Sequence, residues 1–114
     1  MDLQATIRES GGVTILDLEG RITIGTGNDR LGVEVRRLIE SGARKVLLNL
    51  SRVSMIDSSG ISTLVRTFVT LGRAGGSLKL VGVQGRVRDV LGVTRLLNVI
   101  PSFDDEAAAL ASFR

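Results

Sequence analysis

The sequence contains no cysteine, histidine, tryptophan or tyrosine, and it holds one proline and three phenylalanines among 114 residues. Each absence removes chemistry. Without cysteine there are no disulfides, thiolate metal sites or thiol nucleophiles, a composition that suits a reducing compartment. Without histidine as well, a zinc site would rest on carboxylates alone, and serine–histidine or cysteine–histidine nucleophile pairs have no base. We therefore read no catalytic residue, no metal ligand and no cofactor from the sequence. No apolar run approaches the roughly 18 residues of a membrane span, and the start, Met1 to Thr6, lacks the charged and apolar regions of a signal peptide. The expectation is a soluble, cytoplasmic protein without a membrane partner.

What is present is aliphatic: thirteen Val, eight Ile and sixteen Leu. An interior built from branched side chains suits a sheet covered by helices, and the length predicts a single domain over residues 1–114. The formal charge is +3. Residues 61–100 carry six basic groups, Arg66, Arg73, Lys79, Arg86, Arg88 and Arg95, against the lone acid Asp89. That bias suggests a mildly basic face. With no Trp or Tyr to stack on bases and no helix-turn-helix pattern, however, we read it as solvated surface and expect no nucleic-acid partner.

Periodicity sets the element order. Leu3, Ala5 and Ile7 alternate with polar residues, Gly11-Gly12 follows, and Val13 to Glu19 is again rich in β-formers, which together predict an antiparallel hairpin. Leu31, Val35, Leu38 and Ile39 recur at helical spacing after Asn28 or Asp29 as a cap, and Gly42 is the stop. Lys45 to Leu50 shows no polar alternation, as expected of a central strand covered on both faces. From Ser58 the helical period returns, with Ile61, Leu64, Val65, Phe68 and Leu71 on one face. A strand from Leu78 to Val83, a helix from about Gly85 to Leu91, a strand near Asn98 to Ile100 and a last helix opening on Asp104, Asp105 and Glu106 complete the chain. The order ββαβαβαβα predicts an α/β fold: a mixed, mostly parallel sheet with helices packed on it, opening with an antiparallel hairpin.

The glycine-rich segments fail as nucleotide sites. Gly25-Thr26-Gly27-Asn28-Asp29-Arg30 has arginine where the dinucleotide fingerprint needs its third glycine, and neither Lys45 nor Lys79 follows a glycine as a P-loop lysine does. The informative segment is Met55-Ile56-Asp57-Ser58-Ser59-Gly60-Ile61, between the apolar strand and the second helix. Asp57 or Ser58 is suited to cap that helix. Gly60 is costly, because glycine inside a first turn loses up to about 1 kcal/mol relative to alanine. A cap alone does not require it, so something else calls for a small residue there.

Asp57-Ser58-Ser59-Gly60 followed by an aliphatic residue, after an apolar strand and a short loop, resembles the phosphorylation signature of the STAS domain, specifically the bacterial anti-sigma factor antagonists. The likeness extends over essentially the whole chain, including the strand ending in Asn49-Leu50, the Gly76 to Val83 stretch, the Val87 to Leu97 region and the acidic opening of the last helix. It implies that Ser58 is the phosphoacceptor, with Ser59 the nearest competitor and Thr63 a remote one. It also implies that the chain is a kinase substrate and not an enzyme. The implied partner is an anti-sigma factor, itself often the serine kinase, with a phosphatase to reset the switch; Thr23, Asp57, Ser59, Gly60 and Ile61 are the implied contact positions. Family members commonly carry an acidic residue shortly after the glycine that ends the second strand, whereas here Gly20-Arg21-Ile22-Thr23 places Thr23 there. A competing expectation is a STAS scaffold subunit of a stress-signalling or lipid-transport complex in which the site is never phosphorylated.

Overall fold

The two-residue turn Gly11-Gly12 is left-handed at both positions, with φ of 56° and 84°, the conformation that joins two antiparallel strands without splaying them. In the computed structural model, which describes residues 3–113, it connects β1 (Leu3–Ser10) to β2 (Val13–Ile22), paired from Leu3 opposite Gly20 to Ser10 opposite Val13. Then follow α1 (Thr26–Glu40), β3 (Lys45–Ile56), α2 (Ser58–Arg73), β4 (Ser77–Val81), α3 (Gly85–Val93), a 3-10 turn (Leu96–Asn98), β5 (Ser102–Phe103) and α4 (Glu106–Ala111). The sheet order is β1-β2-β3-β4-β5, antiparallel in the hairpin and parallel from β2 onward. The mixed, mostly parallel sheet and the element order are those expected. Among the described residues no helix is long and apolar enough to cross a membrane.

The central strand explains its own composition. Val46, Leu48 and Leu50 enter the main core with Leu31 and Val35 of α1, Leu64 and Leu71 of α2, and Val87 and Leu91 of α3. Leu47, between them in sequence, points the other way and packs with Ile15, Val81, Ala109 and Phe113 beneath α4. Both faces of β3 are therefore covered, which removes polar alternation. The short α4 is tied down at both ends: Arg8 bridges Asp17 and Glu106, and the Lys79 ammonium donates to the Ser112 carbonyl at 2.7 Å over the Phe113 ring.

Several boundaries differ from the sequence reading. β3 runs on to Ile56, so the expected short loop before Asp57 is strand; Ser51, Arg52 and Ser54 are exposed while Val53 and Ile56 are buried, an alternation that few apolar residues signal. Neither Asn28 nor Asp29 caps α1. That helix starts at Gly25 without a side-chain cap, and the Asn28 carboxamide turns instead to accept the Thr63 hydroxyl at 2.5 Å. The strand expected near Asn98 to Ile100 is displaced to Ser102–Phe103, because the 3-10 turn buries Leu96 and Ile100 before the chain reaches the sheet edge. On α2 the buried side holds Gly60, Thr63, Leu64, Thr67 and Leu71, while Val65 is exposed. Thr63 and Thr67 are tolerated inside because each hydroxyl bonds a carbonyl one turn earlier, Ser59 and Thr63 respectively.

Candidate functional site

The carboxyl ends of β2 and β3 lie side by side, Ile22 opposite Ile56, and each feeds the first turn of a helix. Both helices press very close to the strand end. A Cβ built on Gly27 of α1 would stand 2.4 Å from the Arg21 carbonyl oxygen, and one built on Gly60 of α2 would stand 2.4 Å from the Ile22 carbonyl oxygen. No side chain fits in either gap. The small residue demanded at position 60 is thus explained by packing, and α2 begins where β2 ends.

Asp57 organises the turn that results. It is the N-cap of α2, in extended backbone conformation. Its Oδ1 accepts the Ser59 amide at 3.0 Å, the Gly60 amide at 3.1 Å and the Ser59 hydroxyl at 2.6 Å; its Oδ2 accepts the Ile24 amide at 2.8 Å. The Ser59 hydroxyl, followed by the Ile24 amide, holds the Asp57 carboxyl below the usual carboxylate range, against partial desolvation. One carboxylate therefore binds the first turn of α2 to the loop between β2 and α1.

The three hydroxyls compared in the sequence are now distinguishable. Ser58 is exposed, and among the described residues its hydroxyl has no hydrogen-bond partner. Ser59 is half-buried with its hydroxyl given to Asp57. Thr63 is 3% exposed and its one O–H is shared between the Asn28 carboxamide oxygen at 2.5 Å and the Ser59 carbonyl at 3.2 Å. Of the other expected contact positions, Thr23 is half-buried and its carbonyl accepts the Asn28 amide at 3.0 Å, Gly60 is buried, and Ile61 is half-buried against the core. Gly60 thus shapes the turn from beneath, whereas Ser58 stands above it. Sequence reasoning passed over Ile24, whose amide binds Asp57 and whose side chain is 82% exposed. An isolated isoleucine in a loop gives no periodic signal.

Chemically, Ser58 offers an exposed hydroxyl at the positive end of a 16-residue helix, where added negative charge is favoured. The neighbouring Asp57 already accepts four hydrogen bonds, so it orients the turn and is not a free base. Removing the cap and removing the free hydroxyl should separate these roles. Asp57→Ala is expected to cost about 1–2 kcal/mol, lowering the melting temperature by about 5–10 °C, whereas Ser58→Ala should stay within about 0.5 kcal/mol of the parent. The pH dependence has a definite sign. A carboxyl depressed in the folded state stabilises above its unfolded pKa, and the contribution is lost as pH falls through the folded value. Melts recorded from neutral to acidic pH should therefore show part of the acid destabilisation missing in Asp57→Asn.

The STAS domain family model matches residues 4–109. The anti-sigma F factor antagonist of Paenibacillus polymyxa is 25% identical over 111 residues, covering 96% of this chain and 94% of that protein. The crystal structure of an anti-sigma factor antagonist from Mycobacterium paratuberculosis superposes with a TM-score of 0.87 at 19% identity, covering 99% of this chain and 95% of that one. SpoIIAA, a Bacillus cell fate determinant, in its phosphorylated form gives 0.74 at 18% identity, covering 97% of this chain and 100% of that one. At these identities the solved structures establish the shared fold.

Proposed function

The chain belongs to the STAS domain family, and from that premise we propose that it is a phosphorylation-switched anti-sigma factor antagonist, a single STAS domain acting as substrate and binding partner and not as a catalyst. In its unmodified form it binds an anti-sigma factor that is also a serine kinase, through the Ser58 turn, the Thr23 loop and the exposed side of α2, and so releases a sigma factor. Phosphorylation of Ser58 abolishes binding, and a phosphatase restores it. The action is cytoplasmic and involves neither membrane nor nucleic acid.

The observation that carries this reading is the contrast within the turn: Ser58 is exposed and, among the described residues, unbonded, while Ser59 and Thr63, the alternative acceptors, have their hydroxyls engaged. A free hydroxyl at a rigid helix start can be reached by a phosphoryl donor without unfolding the domain. The switch then follows from charge. A phosphate adds about −1.5 to −2 at a surface that a docked protein must desolvate, beside the ionised Asp57. Titrating the purified anti-sigma factor of the source organism with parent, Ser58→Ala and Ser58→Asp chains tests the proposal. Similar affinities for all three would refute it.

A further inference from the structure

Ile24 is the most unusual side chain on this surface. It is 82% exposed, yet the backbone that carries it is held on every side. Its own amide donates to Asp57 at 2.8 Å, the carbonyl before it accepts the Asn28 amide at 3.0 Å, and the Gly25 carbonyl after it accepts the Asp29 amide at 3.1 Å. Gly25 takes a φ of 100°, which fixes the reversal, and Gly27 is pressed against Arg21 just beyond. A lone exposed apolar residue is ordinary. A large one displayed on a turn this restrained needs no ordering when another protein closes over it, which is the property of an interface anchor.

Its position relates it to Ser58. The carboxylate that accepts the Ile24 amide also accepts the Ser59 and Gly60 amides, so the isoleucine turn and the Ser58 turn are one carboxylate apart. Val65 and Val69 follow Ser58 at i+7 and i+11, the same stripe of the helix, and are 38% and 40% exposed. Val93 is as exposed as Ile24, at 84%, but stands at the end of α3 with no such connection.

We propose that Ile24 is the apolar anchor of the partner interface. It inserts into a pocket on the docking kinase that fits one branched aliphatic side chain and lies beside that protein's phosphoryl-donor site. Asp57 is the positioning residue that locks the Ile24 turn to α2. This inference rests on the phosphorylation-switch reading above and assigns the contact that gives that interface its affinity.

The test uses the purified anti-sigma factor kinase of the source organism that binds the unmodified chain, with affinities measured by calorimetry. Ile24→Ala should weaken binding by about 10- to 150-fold, the equivalent of one isoleucine side chain left unburied, with an unchanged melting temperature. Ile24→Val should recover most of the loss, and Val93→Ala should bind like the parent. Asp57→Asn should weaken binding in the parent background and by clearly less in the Ile24→Ala background, because part of its effect passes through Ile24. If Ser58→Asp weakens binding while Ile24→Ala stays within twofold of the parent, the anchor is wrong and the switch stands. An additive Asp57→Asn effect would overturn the positioning role. Unchanged binding by Ser58→Asp, or no binding of the parent chain by any such kinase, overturns the switch and this inference with it.

Discussion

The chain phosphorylated on Ser58 is expected to bind its anti-sigma factor about 30- to 5,000-fold more weakly than the unmodified chain, with no change of fold. The range corresponds to about 2–5 kcal/mol for closing an interface over an unpaired charge. Ser58→Asp, with one negative charge where phosphate carries nearly two, belongs at the lower end, about 30-fold. Ser58→Ala should bind within a few-fold of the parent and resist modification. The structural reason is that Ser58 holds nothing together. Among the described residues its hydroxyl has no partner, and the Asp57 carboxylate caps α2 without it by accepting the Ser59 and Gly60 amides. A modification there alters the surface and leaves the scaffold intact. If Ser58→Asp lost affinity only in proportion to a lost melting temperature, local charge would not be the switch.

Gly60→Ala is expected to be the most damaging small substitution in the site. The new methyl would lie 2.4 Å from the Ile22 carbonyl oxygen, 2.7 Å from Ile56 Cγ1 and 2.8 Å from Ile22 Cγ2. None of these can yield easily. Ile22 and Ile56 are paired across β2 and β3 and are at most 1% exposed. α2 would have to lift from the sheet, taking with it the contacts of Leu64 and Leu71. Overpacking of this kind costs about 2–4 kcal/mol, and the gain in helix propensity of about 1 kcal/mol does not offset it. Against a total stability of about 5–15 kcal/mol, the net loss of about 1–3 kcal/mol should lower the melting temperature by about 5–15 °C. Thermal denaturation followed by circular dichroism decides this, and a parent-like melt would contradict the close packing of α2 on β2.

Much of the architecture was readable because burial wrote it into the sequence. The unbroken Val46-Leu47-Leu48 run declared a strand with two covered faces, and Gly11-Gly12 declared a two-residue hairpin turn. The signal failed where side chains solved a problem locally. Thr63 and Thr67 hide inside by bonding their own helix, so the apolar pattern of α2 left them out, while of Ile61, Leu64, Val65, Phe68 and Leu71 Val65 alone faces solvent. Asn28 looked like a cap but spends its side chain across the seam between α1 and α2.

The site was legible in outline and not in mechanism. The tetrapeptide Asp57 to Gly60 stood out, but spacing alone left Ser58, Ser59 and Thr63 as rival acceptors, because which hydroxyl is free depends on hydrogen bonds that close in three dimensions. The bond from Ile24 to Asp57 spans 33 positions in sequence, a distance no local pattern reports. Asp57 could be read as one of two candidate caps. Its second role, fastening the loop after β2, required the fold.

The central claim is that the Ser58 hydroxyl alone toggles the interface. The direct measurement is to incubate the chain with its anti-sigma factor kinase and ATP, map the product by tandem mass spectrometry and measure its affinity for the same kinase. One phosphate, on Ser58, together with a loss of binding of about 30-fold or more, is the predicted result. A phosphate on Ser59 or Thr63, or a Ser58-phosphorylated chain that binds as tightly as before, would contradict it.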